Sequence, residues 1–247
     1  MTLVAKTLLQ LQYFLGRIAV IILGPLLFLT MKVMHYRVRN LREIRKECSR
    51  HFKYHQGPWI FCANHLTMID SAILSYGMMS LGRHIFRFRL VPWNLPKWEN
   101  YNRSIALIIL CYLAKCIPID RKGGRDETKK TLDKCVYLLS QKQSLVIFPE
   151  GTRSRTGRVN TELFFYSVGR FIKMFENLKV MCIYLRGEHQ ENCSVIPRYG
   201  EQFIMKLEVF TPQKTGAKGL RIHREYAQQV INRIARMEEN YFDSYRK

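Results

Sequence analysis

The 247-residue chain predicts an α/β fold: a central mostly parallel or mixed sheet flanked by helices, with an N-terminal membrane-associated helical segment in front. Three observations carry this. Apolar runs at 59–63, 116–119 and 144–148 each end in polar or Gly-containing residues, as strands do when their loops gather at the carboxyl edge of one sheet. Stretches with helical apolar spacing lie between and after them. Residues Thr7 to Met31 are apolar apart from Arg17 and a few uncharged polar side chains. The division expected is a segment over 1–34 and one domain over 35–247, with no repeat and no linker for a second domain.

The first segment sets up a competition. Uninterrupted, it is long enough to span a bilayer. Arg17 costs about 2.5–3.5 kcal/mol near a bilayer centre, and Gly24-Pro25 breaks or kinks a helix. The uncharged piece from Ile18 to Met31 reaches about 21 Å as helix, against a hydrocarbon core of about 30 Å. Two short interfacial helices, or a re-entrant pair, are therefore expected over a full span. A secretory signal fits poorly, because no small-residue cleavage site follows. Lys32 to Lys53 is basic and reads equally as a collar on anionic headgroups or as a solvated helix face.

Trp59-Ile60-Phe61-Cys62-Ala63 reads as a buried strand, and a helix is expected from Asp70 to about Leu81, in an apolar stretch broken by Gly77 and Gly82. Phe86 to Val91 alternates as a strand does, and Pro92 to Trp98 is a loop whose two tryptophans suit either lipid or core. Ser104 to Ala114, apolar on nearly all sides, is a helix that is buried or faces lipid. Asp126 is positioned to cap a helix carrying Leu132, Cys135, Val136 and Leu139. A second amphipathic helix is expected after Arg158, with Phe164, Val168, Phe171 and Phe175 on one face as a stripe that reads as core. Strands follow at Val180–Leu185 and Phe203–Phe210. A last helix runs from about Leu220 to Tyr241, with Ile222, Tyr226, Val230, Ile234, Met237 and Tyr241 on one side.

Two stretches bear chemistry. In Asn64-His65-Leu66-Thr67-Met68-Ile69-Asp70, a histidine and a carboxylate stand five positions apart. On one helix they would diverge by about 140°. They meet only if His65 lies in the turn leaving the strand and Asp70 in the first helical turn; the carboxylate then fixes the imidazole tautomer and stabilises its cation. Ser144 to Phe148 delivers Pro149-Glu150-Gly151-Thr152-Arg153-Ser154-Arg155-Thr156-Gly157-Arg158, a Gly turn with three arginines, the residue types that grip phosphate. Arg121 ends the run from Cys116, and Arg186, after the Val180 strand, is a further candidate for that cluster.

Taken in order and spacing, Asn64-His65 with Asp70, Ile119-Asp120-Arg121 and Phe148-Pro149-Glu150-Gly151-Thr152-Arg153-Ser154 resemble the glycerophospholipid acyltransferase family, most nearly its 1-acylglycerol-3-phosphate acyltransferases, over roughly residues 55–190. The resemblance implies an O-acyltransferase with His65 as general base and Asp70 as its partner. It implies that Arg121, Glu150, Gly151, Thr152 and Arg153 shape the pocket for the acceptor's phosphate and glycerol. The donor would be an acyl thioester, acyl-CoA or acyl-carrier protein, with no metal or prosthetic group. Two departures bear on the acceptor. Thr161-Glu162-Leu163 stands where the family usually has a lysine-glycine pair, and Val180–Leu185 lacks a flanking proline. No Gly-x-Ser-x-Gly elbow occurs, in keeping with an acceptor hydroxyl that is itself the nucleophile. Glu150 reads as holding the turn or the glycerol, or as pairing with an arginine.

The formal charge is +21, from 40 basic and 19 acidic residues. Such an excess points to a polyanion, and the apolar amino-terminal segment selects an anionic membrane surface over nucleic acid. Seven irregularly spaced cysteines show no disulfide framework, which suits a reducing, cytoplasmic face of the membrane. The expected partners are that surface, a lysophospholipid acceptor and the thioester donor. The rival readings are the same chemistry on glycerol 3-phosphate, another lysophospholipid or an amino-lipid, and a non-catalytic basic binder of membrane or nucleic acid.

Overall fold

A computed structural model describes residues 1–120, 122–213 and 216–245. Among the described residues, five strands form one mixed sheet in the order β1 (Arg37–Val38), β5 (Gln202–Phe210), β4 (Lys179–Gly187), β2 (Trp59–Ala63), β3 (Ser144–Ile147). β2 runs parallel to both β3 and β4, and only the β4–β5 pair is antiparallel. The three parallel strands therefore end at one edge, where His65, Phe148 and Gly187 emerge. β2 and β3 are buried along their whole length, the all-apolar pattern of strands covered on both faces.

One layer packs α7 (Gly124–Ser140), α8 (Ser167–Met174) and α9 (Leu220–Tyr245) on the sheet. The predicted face of α9 is buried at all six positions, from Ile222 to Tyr241. Of the expected stripe, Val168 and Phe171 join the same core, whereas Phe164 and Phe175 fall outside α8 and pack against it only partly buried. α8 meets α9 closely because Gly169 has no Cβ; one would fall 1.8 Å from the His223 carbonyl oxygen. The other layer holds α2 (Leu41–Tyr54) and α3 (Asp70–Met78). The seven cysteines are free.

Several expectations are corrected. The helix after Asp70 stops at Met78, where extended Met79 intervenes before α4 (Leu81–Phe86); neither Gly77 nor Gly82 makes the break. Residues 86–91 are not a strand but the end of α4 and a 3-10 turn, Phe88–Leu90. The carbonyls of Phe88 and Val91 have no strand beside them and accept instead from the Lys115 ammonium, at 3.2 and 2.6 Å. Cys116 and Ile119 make only isolated parallel bridges, to Asn94 and Lys97 beyond β3. α7 begins two residues before Asp126, which sits in its first turn and complements the helix dipole. The tryptophans divide: Trp93 is buried and donates to Gln143, whereas Trp98 is 41% exposed.

The largest correction concerns the N-terminus. Leu3–Val33 is one uninterrupted helix, α1, with Pro25 inside it. By length and composition it is able to cross a membrane. One face, Leu9, Gln12, Gly16, Val20, Gly24 and Met31, packs on the domain. Two glycines set the distance. A Cβ on Gly16 would meet the Leu113 carbonyl oxygen at 2.7 Å, and one on Gly24 the Leu81 side chain at 3.0 Å. Pro25 is on the exposed side, so docking of the flanking turns outweighs its lost hydrogen bond. Gln12 anchors the helix further, donating to the carbonyls of Tyr112 and Cys116 at 2.9 Å each. The opposite face, including Leu8, Leu11, Phe14, Ile18, Ile21 and Ile22, is exposed. Beside it α6 (Ile105–Leu113) has no buried residue, with Ile105, Ile109 and Leu110 open.

Candidate active site

The site begins where β2 ends. The Asn64 side chain donates to the Leu185 carbonyl at 2.9 Å and accepts from the Leu185 N–H at 2.8 Å, carrying the β2–β4 pairing one step past the strand. The chain then turns, and Asp70 opens α3. Thr67 stands in the turn three residues before Asp70, ahead of the N-cap Ile69, so the Asp70 carboxylate at the first helical position can reach back over the turn. Asp70 Oδ2 accepts from the Leu66 and Thr67 N–H groups at 2.7 and 2.9 Å, and the Thr67 hydroxyl donates to Oδ1. The same Oδ2 lies 2.9 Å from His65 Nδ1. His65 is thus off the helix and Asp70 on it, and the two meet. A carboxylate accepts, so Nδ1 carries the proton and Nε2 is the basic nitrogen. Nε2 has no hydrogen-bond partner among the described residues, and the His65 side chain is 20% exposed.

The turn after β3 supports the imidazole from below. The Phe148 ring stacks on it, with centroids 4.2 Å apart. Buried Glu150 accepts from the His65 N–H at 3.1 Å and the Asn160 N–H at 3.3 Å, and the Ser154 N–H donates to the His65 carbonyl at 2.9 Å. Both sides of the His65 backbone are therefore clamped by one turn. Burial pushes the Glu150 carboxyl up to about 7, against the two N–H bonds, with Glu238 and Asp70 adding repulsion. Gly151 has φ +68°, and a Cβ there would fall 1.9 Å from the Phe165 ring. Only glycine fits this position.

The arginines prove less free than their number suggests. Arg153 donates from Nη1 to the Ser194 carbonyl at 2.8 Å, leaving its other N–H groups, and Thr152 beside it is exposed. Arg155 is exposed. Arg158 pairs with Glu238 at 3.0 Å. Arg186, expected as a possible phosphate ligand, is buried and donates to the Gly157 carbonyl at 2.6 Å; it holds the turn. Arg121 lies outside the described residues. The segment at 194–195 also borders the site: the Ser194 N–H donates to the Leu66 carbonyl at 3.0 Å, and the Met68 N–H to the Val195 carbonyl at 3.1 Å. Sequence reasoning missed Thr67, Phe148 and this segment. The Thr-x-x-Asp spacing was a readable sign of the first; nothing local marks the other two.

This geometry can take a proton from a hydroxyl brought to Nε2 and hold the resulting imidazolium against a carboxylate. No curated protein matches the chain. Residues 35–217, about three quarters of it, match the acyltransferase family. That span starts just past α1 and contains His65, Asp70 and the Glu150 turn. The chain belongs to the acyltransferase family, that of glycerophospholipid acyltransferases such as the 1-acylglycerol-3-phosphate acyltransferases.

Proposed function

We propose that the protein moves a fatty acyl group from an acyl thioester, acyl-CoA or acyl-carrier protein, to the free hydroxyl of a lysophospholipid, with 1-acylglycerol 3-phosphate as acceptor and phosphatidic acid as product. The observation that carries the reading is the 2.9 Å contact between His65 Nδ1 and Asp70, with Nε2 unpartnered. His65 Nε2 removes the hydroxyl proton as the oxygen attacks the thioester carbonyl. The carbon–sulfur bond breaks as the ester forms, and the proton passes from the imidazolium to the departing thiolate. Asp70 favours the imidazolium, and base catalysis of this kind contributes about 10²–10⁴ in rate. The acceptor phosphate is held by Arg153 and Arg121, which brings its hydroxyl to His65. Glu150 positions His65 through its backbone and is not itself a base. The work is done at the cytoplasmic face of a membrane, with the exposed sides of α1 and α6 in the lipid.

The test is single-turnover acyl transfer with one labelled acyl-CoA and a panel of acceptors: 1-acylglycerol 3-phosphate, glycerol 3-phosphate, other lysophospholipids and an amino-lipid. The phosphorylated lysolipid should turn over fastest, and His65→Ala should abolish transfer while leaving vesicle attachment intact. Unchanged turnover by His65→Ala defeats the mechanism, and preference for another acceptor reassigns the substrate.

A further inference from the structure

A second basic site lies at the other edge of the sheet. A cavity of about 180 Å³ is lined by Tyr13 and Arg17 of α1, Gln56 before β2, and Arg87, Phe88 and Arg89 around the 3-10 turn. Gln56 precedes β2 and His65 follows it, so a strand about 16 Å long separates this cavity from the imidazole. Among the described residues no carboxylate pairs with Arg17, Arg87 or Arg89, and the hydrogen-bond partner of their guanidinium groups is Gln56 Oε1, 3.5 Å from Arg89. The floor is built. Buried Lys115 ties down the turn that carries Arg87 and Arg89 by donating to the Phe88 and Val91 carbonyls. Its ammonium lies within 5.3 Å of the ring centres of Tyr13, Phe88 and Trp93, so the same residue links the turn to α1. The surroundings are apolar. Phe14, Ile18 and Ile21 flank Arg17 on α1, and Phe86 next to Arg87 is 84% exposed.

We propose that this cavity receives the phosphate of an acidic glycerophospholipid of the membrane, whose chains lie along the open face of α1. Guanidinium groups bind phosphate through paired hydrogen bonds. Three of them without carboxylates, set in a row of exposed aliphatic and aromatic side chains, suit a phosphate that comes attached to hydrocarbon. This also accounts for Arg17 within an apolar helix: it stands at the headgroup level while its neighbours enter the lipid. The site orients the protein on the bilayer and is separate from the acceptor pocket. The proposal rests on the reading that α1 lies in the membrane.

The test uses the full chain and the triple variant R17Q/R87Q/R89Q on vesicles of phosphatidylcholine, with and without phosphatidic acid. Wild type should bind both and bind the acidic vesicles more tightly. The variant should keep its affinity for neutral vesicles and its transfer activity in detergent, and lose the acidic gain by about fivefold per arginine, about a hundredfold in all. A control, R221Q/R224Q/R236Q, removes the same charge from exposed positions of α9. An equal loss in that control, or no loss in the triple variant, overturns the proposal. Tight, arginine-dependent binding of soluble glycerophosphate without vesicles assigns the cavity to free phosphate and overturns it too. Failure of wild type to bind neutral vesicles is a different result, and it removes the membrane reading of α1.

Discussion

His65 and Asp70 are held together because three further groups fix the carboxylate: the Leu66 and Thr67 N–H groups and the Thr67 hydroxyl. Asp70→Asn should lower kcat by about 10²–10⁴, since an amide no longer selects the Nδ1–H tautomer. Thr67→Val should give a smaller loss, because it removes one donor and leaves both backbone bonds; stopped-flow measurement of thiol release would rank the two. Glu150 gives a prediction with a sign. Its carboxyl binds a proton more tightly in the folded protein, near 7, than at its ordinary 4.5. The stability it contributes is therefore full below about 4.5, declines as pH rises to about 7, and is lost above it. The slope is at most about 1.4 kcal/mol per pH unit. Glu150→Gln should flatten that decline in denaturant midpoints taken across the window; an unchanged slope would place the titration elsewhere. Gly151→Ala should cost about 1–3 kcal/mol, from the positive φ and the Phe165 ring together, and should lower the melting temperature and activity together.

Among the elements, α1 decides most. Its sequence is that of a helix able to cross a bilayer, yet one side is shaped to fit a folded domain. Gly16 and Gly24 admit α6 and α4, and Gln12 takes up carbonyls at the end of α6. Gly16→Leu should push α1 off α6, at about 1–3 kcal/mol, and should expose the chain between α1 and β1 to limited proteolysis. Protection equal to wild type would show that the contact is dispensable. α6 itself ends with Lys115 at φ +59°, a position that usually takes glycine. The Cys116 N–H donates back to the Cys111 carbonyl at 2.9 Å, and the Lys115 ammonium is enclosed by carbonyls and rings. Burial pushes that ammonium's pKa well down. Its tertiary contacts hold a backbone conformation that its side chain alone disfavours.

At the scale of the molecule, apolar and charged attachment separate. In the proposed reading the open faces of α1 and α6 would bring hydrocarbon contact, and the +21 charge would bring attraction to anionic headgroups. Binding to neutral vesicles should therefore change little with salt, while the extra affinity for acidic vesicles should fall steeply as the Debye length shrinks below about 10 Å. A sedimentation series over ionic strength reads both. Removal of residues 1–33 should remove most of the neutral part and leave the share that α6 carries; full retention would move attachment to α6 and the basic surface.

The strands β2 to β5, the helix α9 with all six of its inward residues, and the two chemical stretches were legible locally, because period, apolar runs and turn residues are local properties. The meeting of His65 with Asp70 was legible as a condition on the backbone. What only the tertiary structure decided is which of several locally equal options holds. The alternating residues at 86–91 became a turn because a lysine from another segment took their carbonyls. The Gly24-Pro25 pair stayed helical because its neighbours dock on α4. Arg186 and Arg158 were spent on a carbonyl and a carboxylate distant in sequence. Each outcome depends on a partner far along the chain, and free energies that close a long-range contact outweigh the smaller preferences that neighbouring residues express.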